Sequence, residues 1–181
     1  YRGYAGRISS GTLRRGDLVQ VFPGGQSTRI ERIEASGSEL AEASEHESVI
    51  LHLADDLDVS RGNLIAAADA PPHCSKQFQA RVCWMDDEKN LVPGGKYLLQ
   101  HHGCRMRCVV QQILEKVDVS TLEPAEPDAI SLNDIATVVI RTASPMAFDL
   151  YRQNRSTGAF ILIDESSCQT VAGGMITETL E

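Results

Sequence analysis

Across residues 1–70, glycine and proline interrupt the chain at short intervals: Gly3, Gly6, Gly11, Gly16, Pro23-Gly24-Gly25, Gly37 and Gly62. Strands of five or six residues fit between such breaks, and helices of ten do not. Leu18-Val19-Gln20-Val21-Phe22 is β-branched and aromatic and stops at the Pro-Gly-Gly turn. Ser48-Val49-Ile50-Leu51-His52-Leu53 sets Val49, Leu51 and Leu53 against Ile50 and His52, a strand with at least one buried face. Residues 28–34 carry Ile30 and Ile33 at helical spacing, but their strand-like neighbours make this stretch a strand as well. Asp58-Val59-Ser60-Arg61-Gly62-Asn63-Leu64-Ile65 closes the run as a sharp turn into a short apolar strand.

After Ala70-Pro71-Pro72 the pattern changes register but not class. Phe78, Ala80, Val82 and Trp84 alternate strictly. Asp86-Asp87-Glu88-Lys89-Asn90 and Pro93-Gly94-Gly95 are turn chemistry, and Tyr97-Leu98-Leu99-Gln100 follows as a strand. Residues 105–117 fit a long twisted strand better than a helix. Ile135-Ala136-Thr137-Val138-Val139-Ile140 and Phe160-Ile161-Leu162-Ile163 are short apolar strands, and Thr170-Val171-Ala172 opens a last one. The expected fold is all-β, two consecutive small β-barrels, with residues 1–70 as the first, 71–76 as a linker and 77–181 as the second.

With 181 residues, 42% of them hydrophobic, the chain can bury a core. A net charge of -8 and a pI near 5.1 argue against nucleic acid as a partner, which usually calls for a basic face. No run approaches the roughly 18 apolar residues that span a bilayer, so no membrane partner is expected and the cytoplasm is the default location. The five cysteines are odd in number and irregularly spaced, and read as reduced thiols. Tyr1-Arg2-Gly3-Tyr4 and Ile176-Thr177-Glu178-Thr179-Leu180-Glu181 read as starting and stopping in mid-element, so the chain is expected to be a piece of a longer protein, and Leu180-Glu181 is open to reading as native or as a cloning remnant.

Gly11-Thr12-Leu13-Arg14-Arg15-Gly16-Asp17 has the glycine spacing of a phosphate-binding loop, but Asp17 stands where the phosphate-reaching lysine is required; it reads as a hairpin turn. His101-His102-Gly103-Cys104 and Cys108 suggest zinc, yet on a strand the two cysteines lie about 13 Å apart, too far to share an ion without a sharp turn. The acidic clusters at Asp55, Asp56 and Asp58 and at Asp86, Asp87 and Glu88 lack a second catalytic group at defined spacing and read as solvated turns. No Gly-x-Ser-x-Gly elbow supports a hydrolase. Arg105, Arg107 and Lys116 read as a solvated strand face rather than a nucleic-acid groove. No catalytic, cofactor-binding or metal residue is assigned.

Within the two-barrel outline, Gly6-Arg7-Ile8-Ser9-Ser10-Gly11-Thr12-Leu13-Arg14-Arg15-Gly16-Asp17 resembles the second domain of the translation-factor GTPase superfamily. Asp58-Val59-Ser60-Arg61-Gly62, Trp84-Met85-Asp86, Ala147-Phe148-Asp149 and the run from Asn154-Arg155-Ser156-Thr157-Gly158 to Asp164 narrow the resemblance. Together they look like the GTPase large subunit of bacterial heterodimeric sulfate adenylyltransferase (ATP sulfurylase). The first barrel would then lack its opening strand, and Ala172-Gly173-Gly174-Met175 is a shuffled form of the family's glycine-rich ending.

The resemblance implies a parent enzyme, a nucleotidyltransferase of sulfate assimilation and cysteine biosynthesis. GTP hydrolysis there drives adenylylation of sulfate by ATP on a small catalytic subunit, forming adenosine 5′-phosphosulfate. GTP and Mg²⁺ belong to a G domain and ATP to the partner subunit, so this stretch is expected to be inactive alone and to hold no cofactor. Its expected partners are the small catalytic subunit and its own G domain, with Arg61 and Arg155 as candidate contacts. The alternative is an elongation-factor-like barrel module that binds tRNA.

Overall fold

The computed structural model describes residues 1–117, 124–125 and 129–180. The chain divides into two compact units, Tyr1–Pro72 and His73–Glu181.

The first unit is built from β1 (Tyr4–Arg7), β2 (Thr12–Arg14), β3 (Leu18–Phe22), β4 (Gln26–Ala35), β5 (Ser38–Leu40), β6 (Glu42–Ser44), β7 (Ser48–Leu53) and β8 (Leu64–Ala67). The antiparallel order is β1-β7-β4-β3-β8, with β5 beside β4 and a separate β2–β6 ribbon. Ile8, Val19, Ile30, Ile33, Ala43, Val49 and Leu51 form its buried centre, as small-barrel packing requires. The helical spacing of Ile30 and Ile33 has a plain cause. The β4–β7 register slips between Ile30 and Arg32, and the extra residue of this bulge turns Ile33 back to the core face. The stretch 11–17 is not one hairpin turn. Thr12–Arg14 is a strand paired with β6, and the bends fall at Gly11 and Gly16, whose φ values of 73° and 90° suit glycine.

The second unit contains β9 (His73–Trp84), β10 (Lys96–His101), β11 (Cys104–Val117), β12 (Pro124–Ala125), β13 (Ile135–Phe148), α1 (Arg155–Gly158), β14 (Ala159–Ile163) and β15 (Thr170–Leu180). The first strand already begins at His73, inside the stretch read as a linker. The order β10-β14-β15-β9-β13-β11 returns to β10 through the β10–β11 pairing, so six strands close a barrel and leave no open edge; β12 pairs outside it with the end of β11.

Alternation along β9 buries Phe78, Ala80, Val82 and Trp84, which meet Leu99, Val110, Val138, Ile140, Phe160 and Leu162 in the barrel interior. The Trp84 indole donates to the Lys89 carbonyl at 2.8 Å, so the buried ring keeps its hydrogen bond. β13 runs well beyond Ile140. Its pairing with β9 is interrupted between Arg141 and Met146, where Pro145 is tolerated because the ladder is already broken.

Candidate partner-facing site

Past the buried ring of Phe148, the chain leaves β13 and makes the loop that leads into the single turn α1. Asn154 caps that turn, its Oδ1 accepting from the Ser156 and Thr157 amides at 3.0 and 3.4 Å. The Thr157 hydroxyl donates to Asp149 Oδ2 at 2.5 Å, and the Tyr151 amide donates to the Ile176 carbonyl at 2.9 Å. Gly158 packs directly on the loop backbone: a Cβ there would lie 2.5 Å from Tyr151 N and 2.9 Å from Leu150 C.

Beneath the turn, buried His101 donates from Nε2 to the Thr157 carbonyl at 2.8 Å, which fixes its tautomer. Burial lowers its pKa to about 4, so the ring is neutral at ordinary pH; burial also lowers that of neighbouring His102. The outcome is a short loop fixed from below that carries Arg152 and Arg155 exposed on its outer side. Neither guanidinium has a hydrogen bond or ion pair among the described residues. An exposed arginine held on a rigid loop suits a carboxylate or phosphate on another molecule.

Arg61 lies in the first unit. It occupies a turn in which the Ser60 amide donates to Asn63 Oδ1 at 2.6 Å and the Asn63 amide to the Ser60 carbonyl at 3.0 Å. Gly62 takes φ 95° at the third position, which glycine allows without strain, and Arg61 projects as an exposed side chain.

The remaining polar clusters serve local structure. Asp55 accepts from the Thr28 hydroxyl at 2.9 Å, Asp56 pairs with Arg2, and Asp86 caps its turn through the Glu88 and Lys89 amides. Asp17 accepts from the Arg14 amide at 2.7 Å. Arg105 binds Gln100, Arg107 binds Glu165 at 3.0 Å and Lys116 binds Asp134 at 2.6 Å, so these three cations are tied to the barrel surface.

A sharp turn falls at His102-Gly103 between β10 and β11, ahead of both cysteines and not between them. Cys104 and Cys108 share one strand, and burial pushes the Cys108 thiol up to about 12, away from the thiolate a metal requires. Among the described residues no group of three or more histidine, cysteine or acidic side chains is placed to hold a metal ion.

Sequence reasoning missed two clusters. One is His101–Thr157–Asp149. The other joins Tyr1, Glu34 and His52: the tyrosine hydroxyl donates to Glu34 Oε2 at 2.6 Å, and His52 Nδ1 donates to the Arg2 carbonyl at 2.8 Å. Both join residues far apart in the chain; the only available signal was a histidine within an apolar strand.

The model of the GTP-eEF1A C-terminal domain-like family matches residues 77–177. The chain is 41% identical over 177 residues to the bifunctional enzyme CysN/CysC of Mycobacterium tuberculosis, covering 97% of this chain and 29% of that protein. It is 38% identical over 180 residues to sulfate adenylyltransferase subunit 1 of Teredinibacter turnerae, covering 99% and 38%. To the bifunctional enzyme NodQ of a Rhizobium species it is 37% identical over 180 residues, covering 99% and 28%. The chain thus spans well under half the length of these curated relatives. The crystal structure of sup35 with GDP superposes with a TM-score of 0.87 at 20% identity, covering 99% of this chain and 46% of that one, a likeness of fold.

Proposed function

The chain belongs to the GTP-eEF1A C-terminal domain-like family, and from that premise we propose that it is the non-catalytic barrel pair of a sulfate adenylyltransferase GTPase subunit. The observation that carries this reading is the 37–41% identity to CysN/CysC, NodQ and subunit 1 proteins along nearly the whole chain. In this role the barrels pass the state of a GTP- and Mg²⁺-binding G domain to a small catalytic subunit, on which ATP adenylylates sulfate to adenosine 5′-phosphosulfate. A closed barrel moves as one body when a neighbouring switch orders or disorders, and such a body is what coupling between two sites needs.

Arg61 and Arg155 are the proposed contacts, because each is exposed, unpaired among the described residues and held on an ordered turn. The complex works in the cytoplasm, a placement favoured by five cysteines that are all free thiols. No helix among the described residues is long and apolar enough to cross a membrane.

The test is direct titration of this chain with GTP and Mg²⁺, alongside a hydrolysis assay. No binding and no turnover are expected. Saturable GTP binding or hydrolysis by the chain itself would refute its non-catalytic role.

A further inference from the structure

On the outer face of the second unit, four cations surround one open groove of about 630 Å³: Lys76, Lys96, Arg107 and Arg141. The register explains the convergence. Lys96 stands opposite Val109, and Val109 opposite Arg141, so the three side chains share a face across β10, β11 and β13. Arg107 is two residues from Val109 and therefore on the same face. Lys76 enters from β9, where its carbonyl accepts from the Thr142 hydroxyl at 3.1 Å.

Among the described residues, the sole acidic one in the lining, Glu165, is occupied by Arg107 at 3.0 Å. Lys76, Lys96 and Arg141 are exposed and make no ion pair among the described residues. A chain of net charge -8 that gathers four cations around one acid departs locally from its own average.

We infer that this groove docks a short acidic peptide segment of a protein partner. The cations are spread over four adjacent strands, hence over about 14 Å at some 4.8 Å per strand. One phosphate cannot meet charges so far apart, whereas carboxylates spaced along an extended peptide can. The floor contributes Val109 and Ala143, apolar surface on which side-chain stems can rest. A long polyanion such as RNA would run beyond the groove onto a predominantly acidic protein, so a short acidic stretch fits the charge better. The identity of the partner as the catalytic subunit rests on the function proposed above; the peptide binding does not, and it is read on this chain alone.

The experiment is fluorescence anisotropy with a labelled Glu/Asp-rich peptide, its Gln/Asn counterpart, a single-stranded RNA and tripolyphosphate as competitor. Salt-sensitive binding of the acidic peptide alone is expected, weakened about tenfold or more by Lys96→Glu with Arg141→Glu. Arg7→Glu with Arg29→Glu, the same charge change in the first unit, leaves it unaltered. Absence of peptide binding, equal or tighter binding of RNA or tripolyphosphate, or equal loss in the control pair would each overturn the inference.

Discussion

Replacing Gly158 by alanine tests whether the Arg155 loop is held as tightly as its contacts indicate. The new methyl would meet Tyr151 Cα and N and Leu150 C, all backbone atoms of the loop, so relief requires the loop or α1 to move. Overpacking of this kind costs about 1–3 kcal/mol. Gly173→Ala is the matched control: its Cβ would meet only the flexible tip of Met85, at 3.2 Å, and its effect should be small. The chain's single tryptophan, Trp84, is buried in the second unit, so its fluorescence during urea unfolding reports on that unit. With a urea slope of about 2 kcal/mol per M, the Gly158→Ala midpoint should fall by roughly 0.5–1.5 M. A midpoint within the scatter of Gly173→Ala would show that the loop yields freely, and the rigid presentation of Arg155 would lose its basis.

Asn154→Ala removes the cap of α1 and should cost roughly 0.5–2 kcal/mol in the same unfolding assay. His101 titrates near 4 in the fold against about 6.5 when unfolded, so the unfolded chain takes up the extra proton first. Stability of the second unit should therefore be full above about pH 6.5 and fall toward pH 4, by at most ~3 kcal/mol from this group; His101→Gln should flatten that part of the profile. A thiol reagent should modify exposed Cys168 quickly and Cys74, raised by burial, more slowly, while buried Cys108 reacts only in denaturant; mass spectrometry of the timed products checks the order.

The strands were legible because their signal is local. Alternation from Phe78 to Trp84 and the Pro-Gly-Gly stop after Phe22 each lie within a few residues. Ile30 and Ile33 gave a mixed signal for a physical reason, since a bulge restores inward facing at a spacing that imitates a helix. The extension of β13 past Ile140 was hidden because Arg141 to Pro145 is polar, broken sequence, and its continuation depends on partners in β9. α1 is too short for any periodicity. Arg61 and Arg155 are exposed, but what fixes the loop around Arg155 is a contact between His101 and Thr157, 56 residues apart. The basic groove escaped notice because Lys76, Lys96, Arg107 and Arg141 meet only once four strands are in register.

The central proposal, that these barrels couple rather than catalyse, is tested most directly in the two-subunit enzyme to which that proposal assigns them, carrying Arg61→Ala and Arg155→Ala. GTP hydrolysis and adenosine 5′-phosphosulfate formation should be measured in the same reaction. The account predicts continued GTP hydrolysis with a sharp drop in product formed per GTP consumed. An unchanged ratio of product to GTP, with the complex intact, would contradict it.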